Sequence, residues 1–233
     1  MIARWIPLLL LLAASPAAAA KKGKAEKEPE KPSAAEPAEL TKKEAKLRST
    51  AFATYESELA AGSKTRAADA LAAITDDPSL AEFHGEAYAR LGDIRGELSL
   101  PYAALCAYAK AFETASDTNI EEVSKRVPQA MELATKVGDI AILERPFAGN
   151  LGLARTEDVR GQMAYLAAKE QVRKGQWGTA SAVLKMVKEG DPLYPDAKVL
   201  EGIVLNQQSR HEAALTAFEA AAKTGRDRDA RWH

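Results

Sequence analysis

Cysteine, histidine and aromatic residues are scarce in this chain, and each scarcity removes a class of function. Of 233 residues one is Cys and three are His, and aromatics make up 6%. A single thiol, Cys106, cannot close an internal disulfide, so no covalent framework holds the fold. It falls in an Ala- and Tyr-rich stretch and reads as a small packed thiol. His84, His211 and His233 have no second His or Cys at metal-ligand spacing. His211-Glu212 opens like a zinc-protease motif, but Leu215 stands where the second His is required. There is no Gly-rich phosphate loop and no Gly-x-Ser-x-Gly elbow. Glu121-Glu122 and Asp76-Asp77 are adjacent pairs, which do not face each other on a helix. We therefore expect no catalytic residues, no metal and no cofactor, and not an enzyme. Net charge is −1 with the signs interspersed. The folded part has no basic block with interleaved aromatics, which argues against a nucleic-acid partner.

Long apolar runs are also missing. The longest, Ile6 to Ala14, is too short to span a bilayer comfortably. It follows Arg4 and precedes Ala18-Ala19-Ala20, a small-residue cleavage pattern, so residues 1–20 read as a signal peptide. No Cys lies near that site for lipidation. An exported, soluble protein starting near Lys21, in a bacterial periplasm, is expected; the alternative is an uncleaved signal tethering the chain to the inner membrane. Residues 21–46 are almost entirely Lys, Glu, Ala and Pro. Such a composition cannot offset chain entropy by burial and predicts a disordered linker.

What is present is helical periodicity throughout, with no alternation demanding a strand. Helices are predicted at Glu44–Ala61, Thr65–Thr75, Ser79–Leu91, Leu98–Ala115, Asn119–Lys136 and Ile140–Phe147. Others follow at Glu157–Lys174, Trp177–Lys188, Pro195–Gln208 and His211–Lys223. Gly62, Gly92, Gly138, Gly149, Gly175 and Gly190 fall in the gaps as terminators. Asp76-Asp77-Pro78 reads as a helix stop, Thr118 to Glu121 as a capping box, and Pro128 as a break or bend.

Two hairpins stand in tandem. Ala180, Leu184 and Val187 match Ala214, Phe218 and Ala221 at a shift of 34 residues. That period marks a stacked array of helix pairs. The last unit has Gly202, Leu205, Ala214, Phe218 and Ala221. The one before has Ala168, Gly175, Ala180, Leu184, Val187 and Pro192. An earlier unit begins near Pro78 with Gly85, Tyr88 and Gly92, and resumes at Ala104, Tyr108 and Ala111 after an extra segment of about two helical turns. A degenerate unit runs from Ser124 through Met131, Gly138 and Leu143. The turn texts Leu91–Ile94, Val137–Ile140 and Lys174–Trp177 recur.

These residues resemble the tetratricopeptide repeat family, most closely over residues 161–194 and 195–228. The resemblance implies an all-α, right-handed α-solenoid of stacked antiparallel helix pairs over 47–227, behind the disordered N-terminal segment, with 228–233 starting a further helix. It also implies a concave groove lined by the first helix of each pair. That face comprises Gln162, Tyr165, Lys169, Val172 and Arg173, then Asp196, Val199, Ile203, Asn206 and Gln207. Tyr165, Lys169, Val172, Arg173, Val199, Ile203, Asn206 and Gln207 are the candidate partner-binding residues: Lys169 and Arg173 for carboxylates, Asn206 and Gln207 for peptide backbone, the rest for apolar contact. Ile203 replaces the Asn of the family's chaperone-tail clamp, which argues against that specialised role. The expected function is a non-catalytic scaffold for a protein or peptide partner in the cell envelope, within a larger complex. The alternative is the docking or regulatory part of a longer enzyme or secretion component, continuing beyond residue 233.

Overall fold

The computed structural model describes residues 41–224, apart from the side chain of Asp158. The expected signal peptide, most of the Lys/Glu/Pro/Ala linker and the further helix at 228–233 lie outside the described residues. Everything described belongs to the unit Pro37–His233, and every element among the described residues is helical. The helices are α1 (Lys42–Ala60), α2 (Lys64–Asp76), α3 (His84–Glu97), α4 (Pro101–Glu113), α5 (Ile120–Ser124) and α6 (Val127–Val137). Then come α7 (Glu144–Gly149), α8 (Glu157–Arg173), α9 (Trp177–Leu184), α10 (Tyr194–Gln207) and α11 (His211–Lys223), with 3-10 turns at Pro78–Phe83, Ile140–Leu143 and Leu151–Leu153. They pack in neighbouring pairs: α1 on α2, α3 on α4, α7 on α8, α8 on α9, and α10 on α11.

One turn is used five times among the described residues. Gly62, Ser99, Gly138, Gly175 and Ser209 have φ of 75°, 60°, 78°, 70° and 59°. After each, the next backbone N–H donates to the carbonyl five residues back: Ser63 to Glu58, Leu100 to Arg95, Asp139 to Ala134, Gln176 to Gln171 and Arg210 to Leu205, at 2.9 to 3.0 Å. This is the Schellman closure, which satisfies carbonyls left open at a helix end. A new helical segment starts two residues after each left-handed residue.

The turn sets a common burial register. The residue seven before it is buried each time: Tyr55, Gly92, Met131, Ala168 and Gly202. So is the residue five after it, Ala67, Ala104, Leu143, Ala180 and Ala214, and the residue nine after it, Leu71, Tyr108, Phe147, Leu184 and Phe218. In the second, fourth and fifth hairpins Gly or Ala holds the first two positions and lets the paired helices approach, and the large third residue fills the space between them; the first hairpin has Tyr55 at the first position, and the third has Met131 and Leu143 at the first two. Four apolar clusters result. The first three along the chain are linked by side chains packed on two at once: Tyr88 joins the first and second, and Tyr165 and Val183 join the second and third.

This register corrects the reading of the second hairpin. The predicted turn at Leu91–Ile94 is the middle of α3, and Gly92 is not a terminator. A Cβ on Gly92 would lie 2.5 Å from the Tyr108 ring, and one on Gly202 would lie 2.4 Å from the Phe218 ring. Glycine is required at both for close approach. The turn is made by Ser99, so there is no extra segment between Gly92 and Ala104. The hairpin α1–α2, which was not counted as a unit, carries the same register.

Other boundaries moved for local reasons. The predicted Ser79–Leu91 helix begins as a 3-10 turn capped by Asp77, whose carboxylate accepts from the Ser79 N–H at 2.8 Å. The Asn119–Lys136 stretch breaks into α5 and α6, with Pro128 in the first turn of α6, where its missing N–H has no partner to lose. Ile140–Phe147 divides into a 3-10 turn and α7. Thr118 forms no capping box; Asn119 Oδ1 instead accepts from the Ser116 N–H. The box that does form is Thr41 with Glu44. α9 stops at Leu184 rather than Lys188; Asp191 Oδ2 accepts from the Lys188 N–H at 2.7 Å and tucks the loop against Gly161, where a Cβ would displace the Asp191 carboxylate.

Candidate partner-binding face

The cations on α8 are committed within the molecule. Lys169 Nζ lies 2.6 Å from Glu144 Oε1 and 5.9 Å from the centre of the Tyr165 ring. Arg173 donates to the other oxygen, Glu144 Oε2, and at 2.5 Å to Glu170 Oε2. Glu144, at the start of α7, is only 1% exposed. A carboxylate that far from water needs compensating charge, and α8 supplies two cations one helical turn apart. Their outer sides remain open, with 37% of the Lys169 side chain and 59% of that of Arg173 exposed. A partner carboxylate would meet a pair already holding an anion, not two bare charges. Tyr165 and Val172 are half-buried and pack into the third cluster.

The α10 half of the candidate face is less charged. Val199 and Ile203 are half-buried against the cluster of Leu205, Ala214 and Phe218. Asn206 Oδ1 is 2.8 Å from His211 Nδ1 across the Ser209 turn. Asn206 and Gln207 are exposed. α8 and α10 touch directly, so the two sets are adjacent. Of the eight residues, Val172, Val199 and Ile203 spend much of their surface on packing.

Sequence reading missed a second charged assembly, on α1, α3, α4, α5 and the link between α5 and α6. Glu86, 4% exposed, is held by Arg48 and by Arg90, whose Nη2 lies 2.7 Å from it. Both guanidinium groups sit 5.2 Å from the centre of the Phe52 ring. About two turns along α3 from Glu86, Asp93 accepts from the Tyr108 hydroxyl at 2.9 Å and from Arg126 Nη2 at 3.0 Å. Arg126 also bonds Glu122 Oε1 at 2.5 Å, and Lys125 bonds Glu122 Oε2 at 2.7 Å. Partial burial opposes ionisation of Glu122, but the bonds from Lys125 and Arg126 prevail and hold its carboxyl at about 2. Burial, then the neighbouring Asp93 carboxylate, push the Tyr108 hydroxyl well above the ordinary tyrosine range.

The signal for this assembly lay in the turn register. Asp93, Lys169 and Ile203 each stand six residues before a left-handed turn residue, and Glu86, Gln162 and Asp196 stand thirteen before. Taking Gly92 for the turn shifted α3 out of register and hid the correspondence.

No protein-family model matches the chain, and no curated protein matches it. Among the described residues no group of three or more His, Cys, Asp or Glu is placed to hold a metal ion, and no helix is long and apolar enough to cross a membrane. His84 packs edge-on against Tyr88, with ring centres 6.4 Å apart, and its Nε2 lies 3.0 Å from the Asp77 carbonyl. Cys106 is half-buried.

Proposed function

We propose that this chain is a non-catalytic protein–protein interaction scaffold of the tetratricopeptide repeat kind. In this reading the five hairpins stack as a right-handed α-solenoid, and their first helices line a concave groove that holds a protein or peptide partner. The observation that carries it is the fivefold repetition of one turn with one burial register, from Gly62 to Ser209. Units that share a register and bury their apolar faces on neighbours leave an extended surface, which is the basis of recognition in repeat proteins. Export to a bacterial periplasm belongs to the same proposal and rests on Arg4, the apolar run Ile6–Ala14 and Ala18-Ala19-Ala20. So does membership of a larger envelope complex.

The paired cations dictate the test. Reversing Lys169 and Arg173 alone would strand Glu144, so loss of binding could reflect loss of fold. Lys169→Gln, Arg173→Gln and Glu144→Gln together remove the charges while keeping polar side chains at all three positions. A photo-crosslinker placed at Gln207 is expected to trap partner from envelope extract, one at Glu219 on α11 is not, and the triple variant should capture less. Equal crosslinking from both positions, or none from Gln207, removes the groove as the site.

A further inference from the structure

Four surface grooves differ in how their charges are used. In the two beside α3, every cation has a carboxylate: Arg48 and Arg90 hold Glu86, Lys125 holds Glu122, and Arg126 holds Asp93. In the groove beside α7, Arg145 is 3.5 Å from Glu113 and Lys174 is 3.3 Å from Glu170. The fourth groove lies among α9, α10 and α11, with a volume of about 360 Å³. Its one carboxylate, Glu201, is taken by Lys198 at 2.6 Å. Lys185 and Arg210 line the same groove, are exposed, and have no carboxylate within ion-pair distance among the described residues.

The groove exists because α9 ends at Leu184, three residues before Val187 regains the core, so Lys185 sits on a rim rather than under a further helical turn. Arg210 is the residue after the left-handed Ser209, and its backbone N–H donates to the Leu205 carbonyl, which fixes where its side chain leaves the chain. Leu205, Ala213 and Ala217 give the same groove an apolar part, beside the hydroxyl groups of Ser181, Tyr194 and Thr216. None of the eight candidate partner-binding residues lines it.

We infer that this groove is a second docking surface, separate from the α8–α10 face, for an acidic peptide segment that sets an apolar side chain between carboxylates. The two unmatched cations, Lys185 and Arg210, select negative charge, and the apolar part of the lining, Leu205 and small alanines, accepts a side chain that a polyphosphate or sugar would not provide. Charge complementarity of this kind sets specificity and encounter rate, and its salt dependence follows from screening.

The probe is a fluorescein-labelled peptide, Glu-Glu-Leu-Glu-Leu-Glu-Glu, titrated with the full chain and read by fluorescence anisotropy, with the Lys-for-Glu peptide as its counterpart. The acidic peptide should bind, more weakly at high salt, and the basic one should not. Lys185→Glu with Arg210→Glu should weaken binding about tenfold or more by replacing attraction with repulsion. Lys185→Gln with Arg210→Gln should fall between, and circular dichroism should show the helices intact. The triple glutamine variant of Lys169, Arg173 and Glu144 should bind the acidic peptide as the wild type does, even if it fails to capture the partner of the groove on α8 and α10. Equal binding of both peptides, unchanged affinity in the Lys185/Arg210 variants, or loss of peptide only in the triple variant would each overturn the assignment. So would binding of an oligothymidylate in place of the peptide.

Discussion

Gly92 and Gly96 lie one turn apart on α3 and answer differently to the same methyl group. At Gly96 a Cβ meets nothing within 4 Å, so Gly96→Ala should stabilise by about 0.5–1 kcal/mol through helix propensity alone. At Gly92 it meets the face of a fully buried Tyr108, whose hydroxyl is tied to Asp93. Overpacking of about 1–3 kcal/mol then outweighs that gain, and thermal melts of the two variants should move in opposite directions. The serines at the turns make the converse case. Ser99 and Ser209 hold φ near 60°, a conformation that costs a non-glycine residue about 1 kcal/mol or more. Ser99→Gly relieves that and adds unfolded-chain entropy of about 0.4–1 kcal/mol. A net gain between zero and about 1 kcal/mol is expected in urea unfolding; a clear loss would mean that the Ser side chain is itself structural. Glu122 gives a pH signature. Its carboxyl is lowered from 4.5 to about 2 in the folded chain, so its contribution is fully present above about pH 4.5 and lost as pH falls towards 2. Melting temperature followed through that window should drop less steeply in Glu122→Gln than in the wild type.

At the scale of elements, the sequence was legible where residue type and backbone need agree. His211–Lys223 was predicted with the bounds observed, and Gly175 ends α8 as a glycine in a left-handed turn should. It was misleading where they part. Ser99 and Ser209 adopt the glycine conformation, while Gly92 lies mid-helix for packing, so a rule that reads glycine as a stop cut α3 short. The candidate face was partly legible: helical spacing placed Lys169 and Arg173 together, but nothing in their spacing announces a carboxylate from α7, since Glu144 and Lys169 are distant in the chain. Their dependence is testable. Lys169→Ala with Arg173→Ala leaves Glu144 buried and uncompensated, a loss of up to about 3–5 kcal/mol. Adding Glu144→Gln should recover a large part of it. If the triple variant unfolds at the same urea concentration as the double, the three charges do not act as a unit.

For the whole described region, stability is distributed along the chain, since four clusters each join adjoining helices. Leu215 shows what the same register position is like where no described helix covers it. It stands six residues after its turn, as Leu105 and Glu144 do after theirs; those two are at most 1% exposed, and Leu215 is 60% exposed. Following helices, α5 to α8, cover the earlier positions. Native-state hydrogen exchange should therefore find α11 opening at lower free energy than α4, although both carry the same register. Uniform protection across α4 and α11 would show that the hairpins open only together.

The five congruent turns also bear on pulling. Each is a short link between two helical segments, so tension applied across the described residues meets no single clasp among them. An optical-trap trace should show a staircase of small, similar extensions at low force instead of one abrupt rip. A partner lying across several hairpins would stitch those steps into fewer, larger ones.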